Sequence, residues 1–155
     1  MSIFIDTGVF YALLDQGDIN HMDALAIMTH ALEGKFGRVF TTDYVILETT
    51  LLLKARINSR AVEAFLNFLE KSGITTIVID EKTFRKALEL VRKRPEILSL
   101  CDAATLSIIE DWNVKNLATF NLRSFRNLTI NIIGKGYFNA LPDSEKKRIK
   151  FLIKK

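Results

Sequence analysis

One cysteine and two prolines are all that the 155 residues contain of either type. A lone Cys101 closes no internal disulfide, which fits a reducing, cytoplasmic compartment. Pro95 and Pro142 stand far apart, and no Pro/Gly/Ser linker, low-complexity tract or internal repeat divides the chain, so its length reads as one domain with one core. Apolar runs are short, as in Leu51-Leu52-Leu53, far below the roughly 18 residues that cross a bilayer. No basic segment precedes an apolar stretch at the N-terminus, and Asp6 comes too early for a signal peptide. The only two histidines, His21 and His30, lie apart and with one cysteine make no zinc site. No phosphate-binding loop is present either. Gly134-Lys135-Gly136 reads as a turn, and no Ser/His/Asp grouping stands out.

What is there has an ordinary globular balance: 48% hydrophobic and 26% charged residues. The net charge of +4 sits in the last 15 residues, where six basic side chains face two acidic ones, while the rest balances at 16 of each sign. Residues 141–155 therefore read as a basic C-terminal helix, either a solvated amphipathic element or one that attracts phosphate backbones.

Short β runs alternate with helical stretches. Residues 2–5, 38–41, 74–79, 117–119 and 129–133 read as strands. Helices are expected from Thr7 to Leu14, around His21 to Leu32, and from Tyr44 to Ala55 behind a Thr42 or Asp43 cap. Ser59 is expected to cap the next helix, whose stripe is Val62, Phe65, Leu66 and Leu69. Asp80 caps another, and Ser99 with Asp102 forms a capping box that opens a helix reaching about Trp112. Phe65 and Phe68 do not fit one narrow stripe, so a second apolar face implies a partner, a dimer or a fully buried helix. The alternation predicts an α/β domain with a mainly parallel sheet, and ligands in such folds bind at the carboxyl ends of the strands near the switch in strand order.

Acids stand where that rule looks. Asp6 directly follows the first strand, where it caps a helix or serves a site. The helical neighbours of Glu48 are Tyr44, Val45, Leu51 and Leu52, so its carboxylate falls on an apolar stripe. Burying it is expensive unless it is paired or binds a cation. Asp102 repeats the pattern among Leu98, Thr105 and Leu106, and its capping role is compatible with ligation. Asn121 ends the fourth strand region, as a turn residue or an uncharged oxygen ligand. Three acids and an amide at element ends suit Mg²⁺ or Mn²⁺. Arg123 and Arg126 follow, as backbone contacts for a nucleic acid or as solvated loop charge.

These residues resemble a known family. Ile3-Phe4-Ile5-Asp6-Thr7-Gly8, Thr41-Thr42-Asp43-Tyr44-Val45-Ile46-Leu47-Glu48-Thr49, Leu98-Ser99-Leu100-Cys101-Asp102-Ala103 and Ala118-Thr119-Phe120-Asn121 are similar to the four motifs of PIN-domain nucleases, in order and spacing, over roughly residues 2–133. Size and motif wording most resemble the VapC-type toxins of toxin–antitoxin pairs. The resemblance implies a PIN-like domain over 1–140 with an extra basic helix over 141–155. It also implies Mg²⁺- or Mn²⁺-dependent hydrolysis of RNA, a homodimer and a small antitoxin partner. Asp6, Glu48 and Asp102 become the metal-holding acids, and Asn121 takes the fourth position, where the family usually has Asp. That departure leaves a silent RNA-binding or assembly module as the alternative. A nucleotide-binding protein of flavodoxin type is the other, disfavoured by the missing phosphate loop.

Overall fold

A computed structural model describes residues 1–154. Five strands, β1 (Ser2–Ile5), β2 (Arg38–Thr42), β3 (Thr75–Ile77), β4 (Asn116–Ala118) and β5 (Asn131–Ile133), form one sheet in the order β3-β2-β1-β4-β5. Every pairing is parallel. The chain runs outward from β1 to β2 and β3, then returns to lay β4 and β5 on the other side. The switch in strand order thus falls between β1 and β4.

Helices α1 (Thr7–Leu14), α2 (His21–Leu32), α3 (Asp43–Arg56), α4 (Ser59–Ser72), α5 (Glu81–Lys93), α6 (Leu100–Asp111), α7 (Leu122–Phe125) and α8 (Asp143–Ile153) surround the sheet. A central strand covered on both faces requires apolar side chains at every position. Ile3, Phe4 and Ile5 meet that demand, and none is exposed. Phe4 lies in register with Phe40 on β2 and Leu117 on β4, and all three are buried.

Local capping starts the helices that matter to the site. Thr42 Oγ1 accepts from Val45 N at 3.2 Å, and Asp80 Oδ1 from Thr83 N at 2.8 Å. Ser99 and Asp102 form the reciprocal box expected of them. At α4 the cap is Asn58, whose Oδ1 accepts from Ala61 N at 2.9 Å, and not Ser59, which is already helical. Phe65 and Phe68 also differ from expectation. Three residues apart, they share one side of α4 and both pack on the main core, Phe65 against Phe10 at 5.2 Å between ring centres. Leu66 is the one that turns outward. That helix therefore carries no second apolar face built from phenylalanines.

The basic tail folds back as α8. Ile149 is fully buried in a small cluster with Ala26 and Phe138. Polar groups fix the same contact. Lys35 Nζ donates to Tyr137 Oη, which lies 2.6 Å from His30 Nδ1, and His30 Nε2 meets Glu145 Oε1 at 2.7 Å. Arg148 spans Glu145 and Glu33. Its guanidinium and then His30 hold the Glu145 carboxyl down to about 2. Ile149→Ala is expected to lower stability by about 2–3 kcal/mol and to release α8 first. Hydrogen exchange would show residues 143–153 losing protection before the sheet does.

Candidate active site

Asp6, Glu48, Asp102 and Asn121 come from four separate elements and line one cleft of about 340 Å³ at the carboxyl edge of the sheet, with Thr7, Tyr11, Asp18 and Arg56 among the other residues around it. Asp6 is the first residue beyond β1 and Asn121 lies just beyond β4, so the pair flanks the switch point. Glu48 lies on α3 and Asp102 in the first turn of α6. Asp6 and Asp102 are buried, Asp102 as its apolar neighbours predicted. Glu48 is only half-buried. The buried stripe of α3 runs through Val45, Thr49 and Leu53, which turns Glu48 toward the cleft rather than into the core.

Two hydroxyls hold the two buried carboxylates, and one amide holds both hydroxyls. Thr119 Oγ1 donates to Asp6 Oδ2 at 2.7 Å, and Ser124 Oγ donates to Asp102 Oδ2 at 2.9 Å. Between them, Asn121 donates its backbone N–H to Thr119 Oγ1 at 3.0 Å and its side-chain Nδ2 to Ser124 Oγ at 2.9 Å. Its Oδ1 accepts from Ser124 N at 3.3 Å and so caps α7. Thr119 Oγ1 thus accepts once and donates once, while Ser124 Oγ accepts once and shares its proton between Asp102 and, more distantly at 3.4 Å, Ile97 O. A carboxylate at position 121 has no N–H to offer Ser124, so asparagine does here what aspartate cannot. The second bond to Asp102, from Ser99 N at 3.2 Å, also falls on Oδ2 and leaves Oδ1 without a protein partner.

No lysine, arginine or histidine lies within ion-pair distance of Asp6, Glu48 or Asp102 among the described residues. Burial, reinforced by the charges of Asp102 and Glu48, lifts the Asp6 carboxyl to about 6, against the downward pull of Thr119 and the Thr7 amide. Cys101 sits beside the same three acids. Burial first, then their charge, raises its thiol well above the usual range and disfavours the thiolate. Thr7 Oγ1 is buried with no hydrogen-bond partner. The donor set is all oxygen, under-neutralised and in part unpartnered, and it fits a hard divalent cation.

A different cluster has tighter donor geometry. His30, Glu33 and Glu145 bring donor atoms within 4.8 Å of one another. Arg148 already occupies both carboxylates there, and His30 spends its ring nitrogens on Tyr137 and Glu145. That group is a structural ion-pair network.

Arg56 in the cleft, and Ser124 behind Asp102, escaped the sequence reading. Glu48, Leu52 and Arg56 stand four apart on α3 and all reach the cleft, a spacing visible in the sequence. Ser124 stands three after Asn121, the interval of a cap and its N–H donor. Arg123 donates to Glu96 O at 3.2 Å, which ties it to the loop before α6.

Fold and cleft together define a parallel α/β domain with an acidic cleft at the carboxyl edge of its sheet. The PIN domain family model matches residues 3–130, and the chain belongs to that family. The flavodoxin-type alternative falls with this match. Within the family the chain is of VapC type. A VapC ribonuclease of Archaeoglobus fulgidus is 34% identical over 157 residues, spanning 99% of this chain and 96% of that protein. The crystal structure of Mycobacterium tuberculosis VapC20, described as a toxin that cleaves the sarcin-ricin loop, superposes with a TM-score of 0.70 at 25% identity, over 82% of this chain and 96% of that one. VapBC2 of Rickettsia felis, bound to a promoter DNA fragment, shares the fold with a TM-score of 0.61 at 14% identity, over 85% of this chain and 97% of that one.

Proposed function

We propose that this chain is a VapC-type ribonuclease, the toxin of a toxin–antitoxin pair, which hydrolyses RNA phosphodiester bonds with Mg²⁺ or Mn²⁺ held by Asp6, Glu48 and Asp102. The observation that carries the reading is a cleft holding three carboxylates with no protein cation to neutralise them. Like charges gathered at partly buried positions are unfavourable until a cation joins them. The oxygens of these three residues do not all approach within 4.8 Å of one another among the described residues. Mg²⁺ does not require closer approach, because it keeps several waters and takes only one or two carboxylates directly.

A divalent cation in that position supplies charge stabilisation to a phosphate oxygen and a lowered pKa to a bound water. The chain supplies orientation. Thr119 and Ser124 fix one oxygen of Asp6 and of Asp102, and Asn121 fixes both hydroxyls. Asn121 is thus a positioning residue in the fourth family position. Glu48, more exposed than the two aspartates, has the freedom to orient a water at the cleft mouth. Leu47 and Leu51, 59% and 60% exposed, flank Glu48 on α3 and offer apolar surface for an antitoxin or for the second subunit of a homodimer.

The test is a single assay. RNA incubated with the purified chain is expected to be cut in Mn²⁺ or Mg²⁺ and left intact in EDTA, with activity restored when the metal is returned. Equal cleavage in EDTA overturns the metal assignment. RNA that stays intact under all conditions overturns the enzyme, and a chain that still binds RNA then reverts to the silent module.

No helix among the described residues is long and apolar enough to cross a membrane.

A further inference from the structure

Arg56 is the one cation among the described residues lining a cleft whose other charged residues are Asp6, Asp18, Glu48 and Asp102. It ends α3, two turns beyond Glu48 on the same side. It is exposed and has no carboxylate within ion-pair distance among the described residues. Arg148 is the contrast, since its donors are consumed by Glu33 and Glu145.

Arg56 is nevertheless held in place. Its guanidinium lies over the ring of Tyr11 at 5.5 Å. That ring is 8% exposed, and its hydroxyl donates to Asp15 Oδ2 at 3.0 Å. The contact holds the guanidinium beside the ring, and a guanidinium carries five N–H donors, more than Tyr11 can take up. A planar fork of donors at the rim of an acidic cleft, with no carboxylate paired to it among the described residues, matches the non-bridging oxygens of a phosphodiester. RNA drawn toward three carboxylates meets repulsion at every phosphate except the one that enters with the cation. A fixed cation at the rim offsets that repulsion for one neighbouring phosphate.

We propose that Arg56, stacked on Tyr11, grips a backbone phosphate of the RNA next to the one cleaved and so sets the register of the strand. This rests on the ribonuclease reading above. Tyr11 and Asp15 are positioning residues for it. The contact reads the backbone and not the base.

The experiment compares the unaltered chain, Arg56→Ala and Arg56→Lys on a short single-stranded RNA in Mn²⁺, with one neutral methylphosphonate walked along the backbone. Arg56→Ala is expected to raise KM roughly tenfold or more, the range for a hydrogen bond to a charged group. Mn²⁺-induced thermal stabilisation is expected to stay unchanged. Arg56→Lys, which returns a charge without the fork, recovers part of the loss. One methylphosphonate position beside the cut is expected to weaken the unaltered chain by a similar factor and to cost Arg56→Ala nothing further. An unchanged KM in Arg56→Ala, a loss that Arg56→Lys does not relieve at all, or equal sensitivity of both chains to every methylphosphonate overturns the proposal while leaving the nuclease standing. If the unaltered chain cuts no RNA, both fall together.

Discussion

Asp6→Asn is expected to reduce Mn²⁺-dependent RNA cleavage by roughly a thousandfold or more while making the metal-free protein more stable. Both effects have one cause. In the folded chain burial and the neighbouring acids lift this carboxyl from 3.8 to about 6. The native state therefore holds its proton more tightly than the unfolded chain does. That contribution is complete below about pH 4 and disappears as the pH rises through about 6, so an ionised Asp6 opposes folding at neutral pH. A shift of about two pH units corresponds to about 3 kcal/mol at most. Asparagine carries no charge at any of these pH values, and its side-chain oxygen still accepts from Thr119. In EDTA at pH 8 the variant is expected to melt above the unaltered chain, and at pH 4 the advantage is expected to vanish. Mn²⁺ is expected to stabilise the unaltered chain by mass action and the variant far less. An Asn variant that melts lower at pH 8 would mean that a protein cation pairs Asp6.

Gly134→Ala is expected to lower stability by about 2–3 kcal/mol and to cut kcat/KM about tenfold or more, although residue 134 touches no acid. Gly134 follows β5 directly, and a methyl group there would stand 2.2 Å from the backbone oxygen of Thr119. The obstacle is main chain in a fully buried residue whose own N–H bonds to Ile133 O at 3.0 Å. No side chain can step aside, so Thr119 itself must move, and with it the hydroxyl that holds Asp6. Denaturant unfolding measures the first effect and steady-state cleavage the second. Lys135→Ala, one residue on, is the matched control and is expected to change neither. A Gly134→Ala chain as stable as the control would show that the two strand ends do not meet this closely.

Asp102 was legible because a carboxylate on an apolar stripe is costly, and Asp6 because its place directly after a strand is a local fact; Glu48 was found by the same stripe argument, although it turns to the cleft and not into the core. The alternation of strands and helices, also a local fact, exposed the parallel sheet. The relay from Asn121 to Thr119 and Ser124 was not legible. It depends on how the chain turns at one corner, and nothing in the wording of that segment says that two hydroxyls there will face two acids lying 113 and 22 residues earlier. Gly134 escaped likewise. Gly-Lys-Gly reads as a turn on its own terms, and only the sheet reveals what passes behind its first glycine. Phe68 was misjudged because a stripe drawn too narrowly excluded a neighbour only three residues away.

The innermost strand is also the first one made. Its partners lie unequally far along the chain, β2 some 36 residues on and β4 about 113, so a nascent chain holds Asp6 ready long before Thr119 and Ser124 arrive to orient the acids. A polypeptide still short of residue 124 has the carboxylates but no assembled centre. The oriented pair of carboxylates is thus a product of the completed sheet and not of any stretch of chain that precedes β4.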